Sequence, residues 1–183
     1  MHTGPILDVN HLSFDTPWVK TWQPEVIGTL VFIVRNNGPE REVLLIHKKT
    51  GHGAGKINGP GGKVEPGETP AQCAVREVAE EVGLIVHEVT CRVEMRFVEQ
   101  NGPQWLGFGF IAQHFGGELQ TTLEADPFWC AIDDIPYHQM WQDDQLWLPH
   151  LLSSAPNMLV ADYLFNDGQL IDHQVSSDPS VLS

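Results

Sequence analysis

The chain has 183 residues, of which 42% are hydrophobic and 19% are charged. This length and balance fit one globular domain with a substantial core and exclude a disordered chain. The formal net charge is −14 at pH 7. Because so acidic a surface repels polyphosphate backbones, it argues against sequence-independent nucleic-acid binding, whereas a small anion can be held beside a divalent cation.

The cysteines and the apolar runs bear on the compartment. The cysteines are odd in number and show no CxxC spacing, so we expect reduced, packed thiols and neither a disulfide framework nor a zinc site. They are Cys73, Cys91 and Cys130. Residues 1–10 lack the features of a signal peptide, and no apolar run approaches the roughly 20 residues that cross a bilayer. We therefore predict a cytoplasmic protein without a membrane partner.

Residues 1–24 are predicted to form an extended N-terminal arm. Prolines scattered among polar and aromatic residues are unfavourable for a helix. Phe14, Trp18 and Trp22 are suited to pin the arm either onto its own domain or onto a second subunit, and packing on its own domain is the simpler choice. The oligomeric state cannot be read from the sequence.

The first two strands are predicted to form a hairpin. Val26–Val34 is a nearly continuous β-branched and aromatic run, as in a strand covered on both faces. A turn sequence, Asn-Asn-Gly-Pro, separates it from a second apolar run at Val43–His47. A loop holding six glycines follows at 50–62.

A helix is predicted from about residue 70 to residue 82. Thr69 and Gln72 make a capping box, Pro70 suits the first helical position, and Gly83 suits the position after the last turn. Four apolar residues at helical spacing give this helix a buried face. They are Ala74, Val75, Val78 and Val82.

The remaining segments are mostly strands. We predict strands at Leu84–Val98, Trp105–His114 and Phe128–Ile132, a short helix at Asp144–Ser153, and a closing hairpin made of Tyr163–Phe165 and Ile171–Val175. One long helix among many strands indicates a mixed α+β domain.

Three glutamates lie on one face of the predicted helix. Glu77, Glu80 and Glu81 stand at i, i+3 and i+4, which brings neighbouring Cβ atoms within about 5 to 6 Å. Like charges at this spacing destabilise a bare helix, and a hard cation such as Mg²⁺ or Mn²⁺ relieves the repulsion. Taken alone, the three residues are equally typical of a solvated acidic face, which we expect to look outward.

Nine residues between positions 62 and 84 share a fixed spacing. They are Gly62, Glu68, Arg76, Glu77, Val78, Glu80, Glu81, Gly83 and Leu84. In this pattern the sequence resembles the Nudix hydrolases, whose signature it matches at every specified position. The resemblance implies the Nudix fold, an α+β architecture with a mixed β-sheet sandwiched between helices (α/β/α). We predict this domain at residues 25–175 and a flexible tail at 176–183.

The resemblance implies a metal-dependent hydrolase of nucleoside diphosphate derivatives. It assigns Mg²⁺, with Mn²⁺ as a possible substitute, to Glu77, Glu80, Glu81 and the backbone carbonyl near Gly62. Such metals bind phosphate oxygens, offset developing charge and lower the pKa of an attacking water.

Further roles follow from the same resemblance. Arg76 and Glu68 are expected to hold the loop and the helix together through an ion pair. We expect hydrolysis at phosphorus without a covalent enzyme intermediate. Two carboxylates remain candidates for the general base, Glu81 and the lone acid Glu124.

Two further stretches resemble the 8-oxo-dGTP diphosphatases of the mammalian type, which also accept 2-hydroxy-dATP. They are residues 44–64 and 128–152. Trp141 offers a flat face on which a purine can stack. Asp143 and Asp144 offer acceptors for the Watson–Crick edge of an oxidised guanine, and one of the two can hold a proton and donate.

The glycine-rich loop and its neighbours supply the other candidate substrate contacts. Asn58 carries a donor and an acceptor and matches the family's base-reading asparagine. Thr29 and Lys48 match pocket positions as well. His52 and Ile57 stand where the mammalian-type sequences have large aromatic residues, so the wall of the base pocket is expected to differ.

Other functions remain open at this point. The runner-up is a Nudix hydrolase of a different substrate: ordinary dNTPs, ADP-ribose, dinucleoside polyphosphates or capped RNA. A more distant alternative is a non-catalytic ligand sensor with the Nudix fold. Sensors of that kind typically lose the signature glutamates, all of which are present here.

Overall fold

The computed structural model describes residues 13–154 and 157–177 as a mixed sheet with helices packed on it. The helices are α1 (Pro17–Lys20), α2 (Pro70–Val82) and α3 (Asp144–Leu152). The strands are β1 (Val26–Asn37), β2 (Glu40–Lys48), β3 (Ile57–Asn58), β4 (Leu84–Val86), β5 (Thr90–Glu99), β6 (Trp105–Ala112), β7 (Phe115–Gly117), β8 (Ala125–Ala131), β9 (Leu159–Asn166) and β10 (Gln169–Ser176).

The larger sheet has eight strands and mixed direction. Its order is β10-β9-β5-β6-β1-β2-β3, and β8 also pairs with β2. The pairs β1–β6 and β5–β9 are parallel, and the other pairs of this sheet are antiparallel. The predicted hairpins are confirmed, since β1 pairs with β2 and β9 pairs with β10.

Alternation along β1 separates two hydrophobic cores. Val31 and Ile33 join the core that contains the apolar face of α2, whereas Phe32 and Val34 join the core that contains α3. All four side chains are buried, because successive residues of a strand point to opposite faces of the sheet. The sheet is therefore sandwiched between α2 and α3, and the predicted α/β/α arrangement is confirmed.

Helix α2 begins and ends where the sequence predicts. The Thr69 hydroxyl accepts from the Gln72 amide at 3.2 Å, and the Gln72 side chain accepts from the Thr69 amide at 2.9 Å. Gly83 ends the helix in the left-handed region, with φ of 72°. A Cβ there would be strained, and it would also meet Glu118 O at 2.9 Å.

The predicted strand at Leu84–Val98 is wrong in one respect, because two strands occupy it. β4 lies outside the large sheet and pairs with β7 in a two-stranded sheet. β5 begins only at Thr90. The pairing partner of β4 is a glycine-rich segment, Phe115–Gly117, which lacks the alternation of a typical strand. The two-residue strand β3, inside the glycine-rich loop, was missed for the same reason.

The predicted extended arm contains one helical turn, α1, and this corrects the prediction. Pro17 occupies the first turn, where its fixed φ and missing N–H are tolerated. Ser13 donates its amide to the Thr16 hydroxyl at 3.0 Å, and Thr16 O accepts from the Val19 amide at 3.0 Å. A proline at this position starts a helix instead of preventing one.

The described part of the arm packs on its own domain. Phe14, Trp18 and Trp22 surround a small core that includes Val98 and Leu164. The arm is therefore held by the face of the domain formed by β5 and β9. Residues 1–12 of the predicted arm and 178–183 of the predicted tail lie outside the described residues.

The described helices are short compared with the thickness of a membrane. None of them is both long enough and apolar enough to cross one.

Candidate active site

A cavity of about 580 Å³ collects most of the predicted site residues. Those that line it are Thr29, Lys48, Asn58, Gly62, Glu77, Glu81, Glu124, Trp141, Asp143 and Asp144. Glu68, Arg76 and Glu80 stand beside it without lining it. The sheet and the loops around it therefore bring together residues from distant parts of the sequence.

Glu77 lies directly against the glycine-rich loop. A Cβ added to Gly62 would fall 2.1 Å from Glu77 Oε1, so the carboxylate occupies the space that a side chain would need. The Gly62 carbonyl accepts from the Thr29 amide at 2.9 Å, which ties the loop to β1. Burial raises the pKa of Glu77, while the hydrogen bond and charge of Arg76 oppose the rise.

Glu81 is buried, which differs from the expectation of an outward-looking acidic face. One of its oxygens accepts from Lys48 Nζ at 2.7 Å, and the other accepts from the Gly61 amide at 2.9 Å. Only 2% of the Glu81 side chain is exposed, compared with 61% for Glu80. The three glutamates therefore have different surroundings. Glu77 and Glu81 face the loop, whereas Glu80 faces solvent.

Arg76 joins the loop to the helix. It donates to both oxygens of Glu68 at 2.9 Å each, which is the ion pair that the Nudix resemblance implies. Its Nη1 atom also donates to Glu77 at 2.8 Å and to Glu80 at 3.0 Å. The hydrogen bond from Arg76 lowers the pKa of Glu68 to about 2, so this carboxylate stays charged.

The far end of the cavity holds two buried aspartates at the start of α3. Trp147 donates its indole N–H to Asp143 at 3.1 Å, and the Trp141 amide donates to Asp144 at 2.9 Å. The two residues are 3% and 1% exposed, respectively. Burial raises the pKa of Asp143 to about 6, and burial together with the charge of Asp143 raises that of Asp144 well above its usual range. The pair is therefore able to share a proton near neutral pH.

Asn58 and Thr29 complete the wall between the two ends. Asn58 is largely buried, and its Oδ1 accepts from the Gly59 amide at 2.8 Å, which fixes the orientation of the amide. The Thr29 hydroxyl and the Cys73 thiol are hydrogen-bonded at 3.3 Å. The first contact is local and the second joins β1 to α2, and each holds a polar side chain at a defined position in the wall.

A protein-family model also matches this chain. A model described as the NUDIX domain matches residues 25–151. The chain belongs to the Nudix family. The predicted family, fold and hydrolase class are thereby confirmed.

Named relatives are similar along most of this Nudix chain. The oxidized purine nucleoside triphosphate hydrolase of Danio rerio is 44% identical over 127 residues, which are 68% of this chain and 78% of that protein. Its Mus musculus counterpart is 40% identical over 125 residues, with the same coverage of both chains. A MutT protein from Bacillus halodurans has the same fold, with a TM-score of 0.72 at 24% identity over 84% of this chain and 99% of that chain.

Nudix hydrolases generally use divalent metal ions, and the donor set of this chain fits one. Glu77, Glu81 and the Gly62 carbonyl are hard oxygen donors around a glycine that leaves room for a carboxylate. Within residues 13–154 and 157–177, no three acidic, histidine or cysteine side chains are arranged as a metal cluster. Lys48 forms an ion pair with Glu81, and Arg76 forms one with Glu77.

Trp105 was not among the predicted site residues, and His52 was predicted only as a position in the wall of the base pocket. Trp105, the first residue of β6, lines the cavity beside Gly28 of the adjacent strand β1. His52 stacks on Trp105 and on Trp141, with centroid distances of 5.0 and 5.1 Å. Trp105 reads as an ordinary strand residue until the β1–β6 pairing is known.

Ile57 does not contribute to the wall of the cavity in the way that we expected. Its side chain is 3% exposed and packs in the core on the α3 side of the sheet. Of the two departures from the mammalian-type pattern, only His52 lines the cavity.

Proposed function

We propose that this enzyme hydrolyses oxidised purine nucleoside triphosphates, such as 8-oxo-dGTP and 2-hydroxy-dATP, to the monophosphate and pyrophosphate. The observation that carries the proposal is the buried pair Asp143 and Asp144, which shares one cavity with the Nudix residues Glu77 and Glu81. The relatives from Danio rerio and Mus musculus, whose names give this substrate class, support it.

The aspartate pair suits an oxidised purine because each carboxyl group can either accept or donate a hydrogen bond, depending on whether it holds a proton. Oxidation at C8 of guanine adds an N–H donor on the base, and tautomers of 2-hydroxyadenine present a different arrangement of donors and acceptors. With raised pKa values, Asp143 and Asp144 can present either two acceptors or an acceptor and a donor. Asn58 adds a fixed amide, and Trp141 adds a stacking surface. The protein therefore reads the edge of the base with buried polar side chains.

Mg²⁺ is the proposed metal, with Mn²⁺ as a substitute. Glu77, Glu80, Glu81 and the Gly62 carbonyl are the groups that would hold it, and Arg76 forms ion pairs with Glu77 and Glu80. When bound, such a metal stabilises negative charge on phosphate oxygens and acidifies water.

We assign the general base to Glu124 and not to Glu81. Both oxygens of Glu81 are engaged, by Lys48 and by the Gly61 amide. Glu124 is exposed and lines the cavity, and its backbone is fixed by a hydrogen bond from the Lys49 amide at 2.8 Å. A free carboxylate in contact with solvent can accept a proton from an attacking water.

The lysines of the cavity have a binding role in this proposal. Lys48 and Lys63 both line it, on the side of the glycine-rich loop. Their ammonium groups offset the negative charge of a triphosphate. The overall charge of −14 repels such a substrate, so local cations are needed to hold it. The cytoplasm is the proposed compartment, and the three free cysteines are consistent with it.

A hydrolysis panel tests the proposal. The panel measures kcat/KM with Mg²⁺ for 8-oxo-dGTP, 2-hydroxy-dATP, dGTP, ADP-ribose, a diadenosine polyphosphate and NAD-capped RNA, with Glu77→Gln protein as the control for contaminating hydrolases. We expect the two oxidised nucleotides to rank first and to release pyrophosphate. A higher value for ADP-ribose, the dinucleotide or capped RNA would assign the enzyme to another Nudix substrate class.

A further inference from the structure

One flat ring already lies against two indoles at the end of the cavity that holds Asp143 and Asp144, which we call the base end. The His52 imidazole stacks on Trp141 with 16° between the planes, and on Trp105 with 22° between the planes. The centroid distances are 5.1 and 5.0 Å, and all three side chains line the cavity. Offset stacking of aromatic rings is favourable at such separations. His52 therefore occupies a stacking position that a purine can also use.

Trp141 has two described ring contacts, one with Lys56 and one with His52. The ammonium group of Lys56 lies 4.7 Å from the centroid of the indole, yet Lys56 is not among the described residues that line the cavity. The contact of Trp141 on the cavity side is the imidazole of His52. Because this imidazole stacks on both Trp141 and Trp105, a base that stacks between the two indoles must take its place.

Little holds His52 in this position apart from the stacking. The residue is exposed on a loop, and the described contacts give its imidazole no hydrogen bond or ion pair. Its neighbours Gly51 and Gly53 have φ of 71° and 84°, in the left-handed region that glycine adopts freely. Partial burial of the ring, and then the charges of Lys63 and Lys48, lower the pKa of His52, which favours a neutral imidazole. Among the described contacts, rotation of the side chain breaks two aromatic stacks and no hydrogen bond or ion pair.

We propose that Trp105 is a second stacking surface for the nucleobase and that His52 holds the place of the base until a nucleotide displaces it. The inference rests on the proposed function for the class of ligand, a purine nucleotide. It makes Trp105 a binding residue. It also makes His52 a competitor of the substrate. A residue that only formed the wall of the pocket would instead contact the substrate.

The two roles of His52 predict opposite results. If every purine must displace the same imidazole, all purines lose affinity by the same factor. His52→Ala is then expected to lower Kd for dGMP and for 8-oxo-dGMP alike, by about three- to tenfold, since an aromatic stack no longer competes. A wall contact would give the reverse, a higher Kd with a factor that differs between the two nucleotides.

Trp105 is best tested without the competing imidazole. In the His52→Ala background, Trp105→Leu is expected to raise Kd for both nucleotides by about five- to a hundredfold, the range for a lost base stack. Trp129→Leu, which changes an indole outside the cavity, is the matched control and is expected to leave Kd unchanged. Equal Kd values with Trp105 and with Leu would overturn the role of Trp105.

The displacement itself is visible by NMR of histidine-labelled protein, without metal. In the free protein, the ring protons of His52 are expected at high field because two indoles shield them. Saturation with dGMP or 8-oxo-dGMP, established by calorimetry, is expected to move them to the positions of an exposed histidine. His87, exposed and outside the cavity, is the internal control.

The outcomes separate this inference from the proposed function, because neither measurement needs turnover. A His52 signal that stays in place at saturation overturns the inference, even if the hydrolysis panel ranks oxidised purines first. A His52 signal that moves supports it, even if the panel favours another purine substrate. Absence of saturable binding by either nucleotide overturns the stacking role of both Trp105 and His52.

Discussion

The two ends of the cavity treat their carboxylates in opposite ways. At the end lined by Glu77 and Glu81, the proposed metal end, these glutamates lie one turn apart on α2 and form ion pairs with Arg76 and Lys48 respectively. At the base end, the buried Asp143 and Asp144 accept from neutral N–H donors of Trp147 and Trp141. Among the described residues, neither aspartate has a salt bridge.

This difference separates two kinds of chemistry. At Glu77 the charge and hydrogen bond of Arg76 oppose the rise in pKa that burial causes, whereas at Asp143 only neutral hydrogen-bond donors oppose it. The metal end should therefore determine the rate for every substrate, and the base end should determine which substrate is chosen. Mutations at the two ends are expected to give distinct kinetic signatures.

The largest effect is expected for Glu77→Gln. Loss of a charged ligand at the metal end should lower kcat by about 10²- to 10⁴-fold, corresponding to several kcal/mol of transition-state stabilisation. The reduction should be equal for 8-oxo-dGTP and dGTP. Kinetics of both substrates check this, with circular dichroism to confirm folding and Glu88→Gln, an exposed residue outside the cavity, as the control. Normal turnover would remove Glu77 from the metal site.

Glu124→Gln is expected to lower kcat by about 10²-fold or more, the contribution of a general base. The loss should shrink as pH rises, because hydroxide replaces the missing base. A pH–rate profile of the variant checks this against wild-type protein. If Glu124→Gln keeps the wild-type profile while Glu81→Gln loses the acidic limb, the proton acceptor is Glu81.

Asp144→Asn tests the base end. The amide cannot alternate between acceptor and acid, so kcat/KM for 8-oxo-dGTP should fall by about 10- to 100-fold, as for one unpaired polar contact. The loss for dGTP should be smaller, which changes the ratio of the two. Asp172→Asn, on the exposed strand β10, serves as the control. An unchanged ratio would leave the aspartate pair with a structural role only.

Stability should depend on pH through Asp143. Its pKa in the folded protein is about 6, above the value of about 3.9 in an unfolded chain, so the folded state binds the additional proton between these values. The free energy of unfolding is therefore expected to fall as pH rises from about 4 through about 6. Asp143→Asn should flatten this part of the curve, measured by denaturant unfolding at each pH. A slope equal to that of wild-type protein would contradict the raised pKa.

The smallest effect is expected for Arg76→Lys. Lysine keeps the charge but cannot donate to both oxygens of Glu68 while also reaching Glu77 and Glu80. We expect Tm to fall by a few degrees and activity to fall modestly through a loosened loop. Calorimetry measures the change, with Arg41→Lys, outside the cavity, as the control. A fall in Tm as large as that of Glu68→Ala would show that the contact of Arg76 with both oxygens of Glu68 is essential.

The metal end could be predicted from the sequence because its parts are local. Helical spacing places Glu77 and Glu81 one turn apart, and the capping residues Thr69 and Gly83 define the helix that carries them. The inward direction of Glu81 was missed, since it depends on Lys48 at the end of β2. Spacing along a helix shows which residues share a face, but the partners on other elements decide which of them are buried.

The base end could be predicted only in part. Trp141, Asp143 and Asp144 were found by resemblance, whereas Trp105 becomes a site residue only through the parallel pairing of β6 with β1. The stack of His52 on the two indoles joins residues that are far apart in sequence. No local pattern encodes such contacts, because register and loop placement determine them.

A competition between two nucleotides tests the central claim most directly. Equal concentrations of 8-oxo-dGTP and dGTP are mixed with the wild-type enzyme and Mg²⁺, and both are followed by chromatography. Consumption of 8-oxo-dGTP well before dGTP, with release of 8-oxo-dGMP and pyrophosphate, is the predicted result. Disappearance of the two nucleotides at the same rate would contradict an enzyme that reads the oxidised base through Asp143 and Asp144.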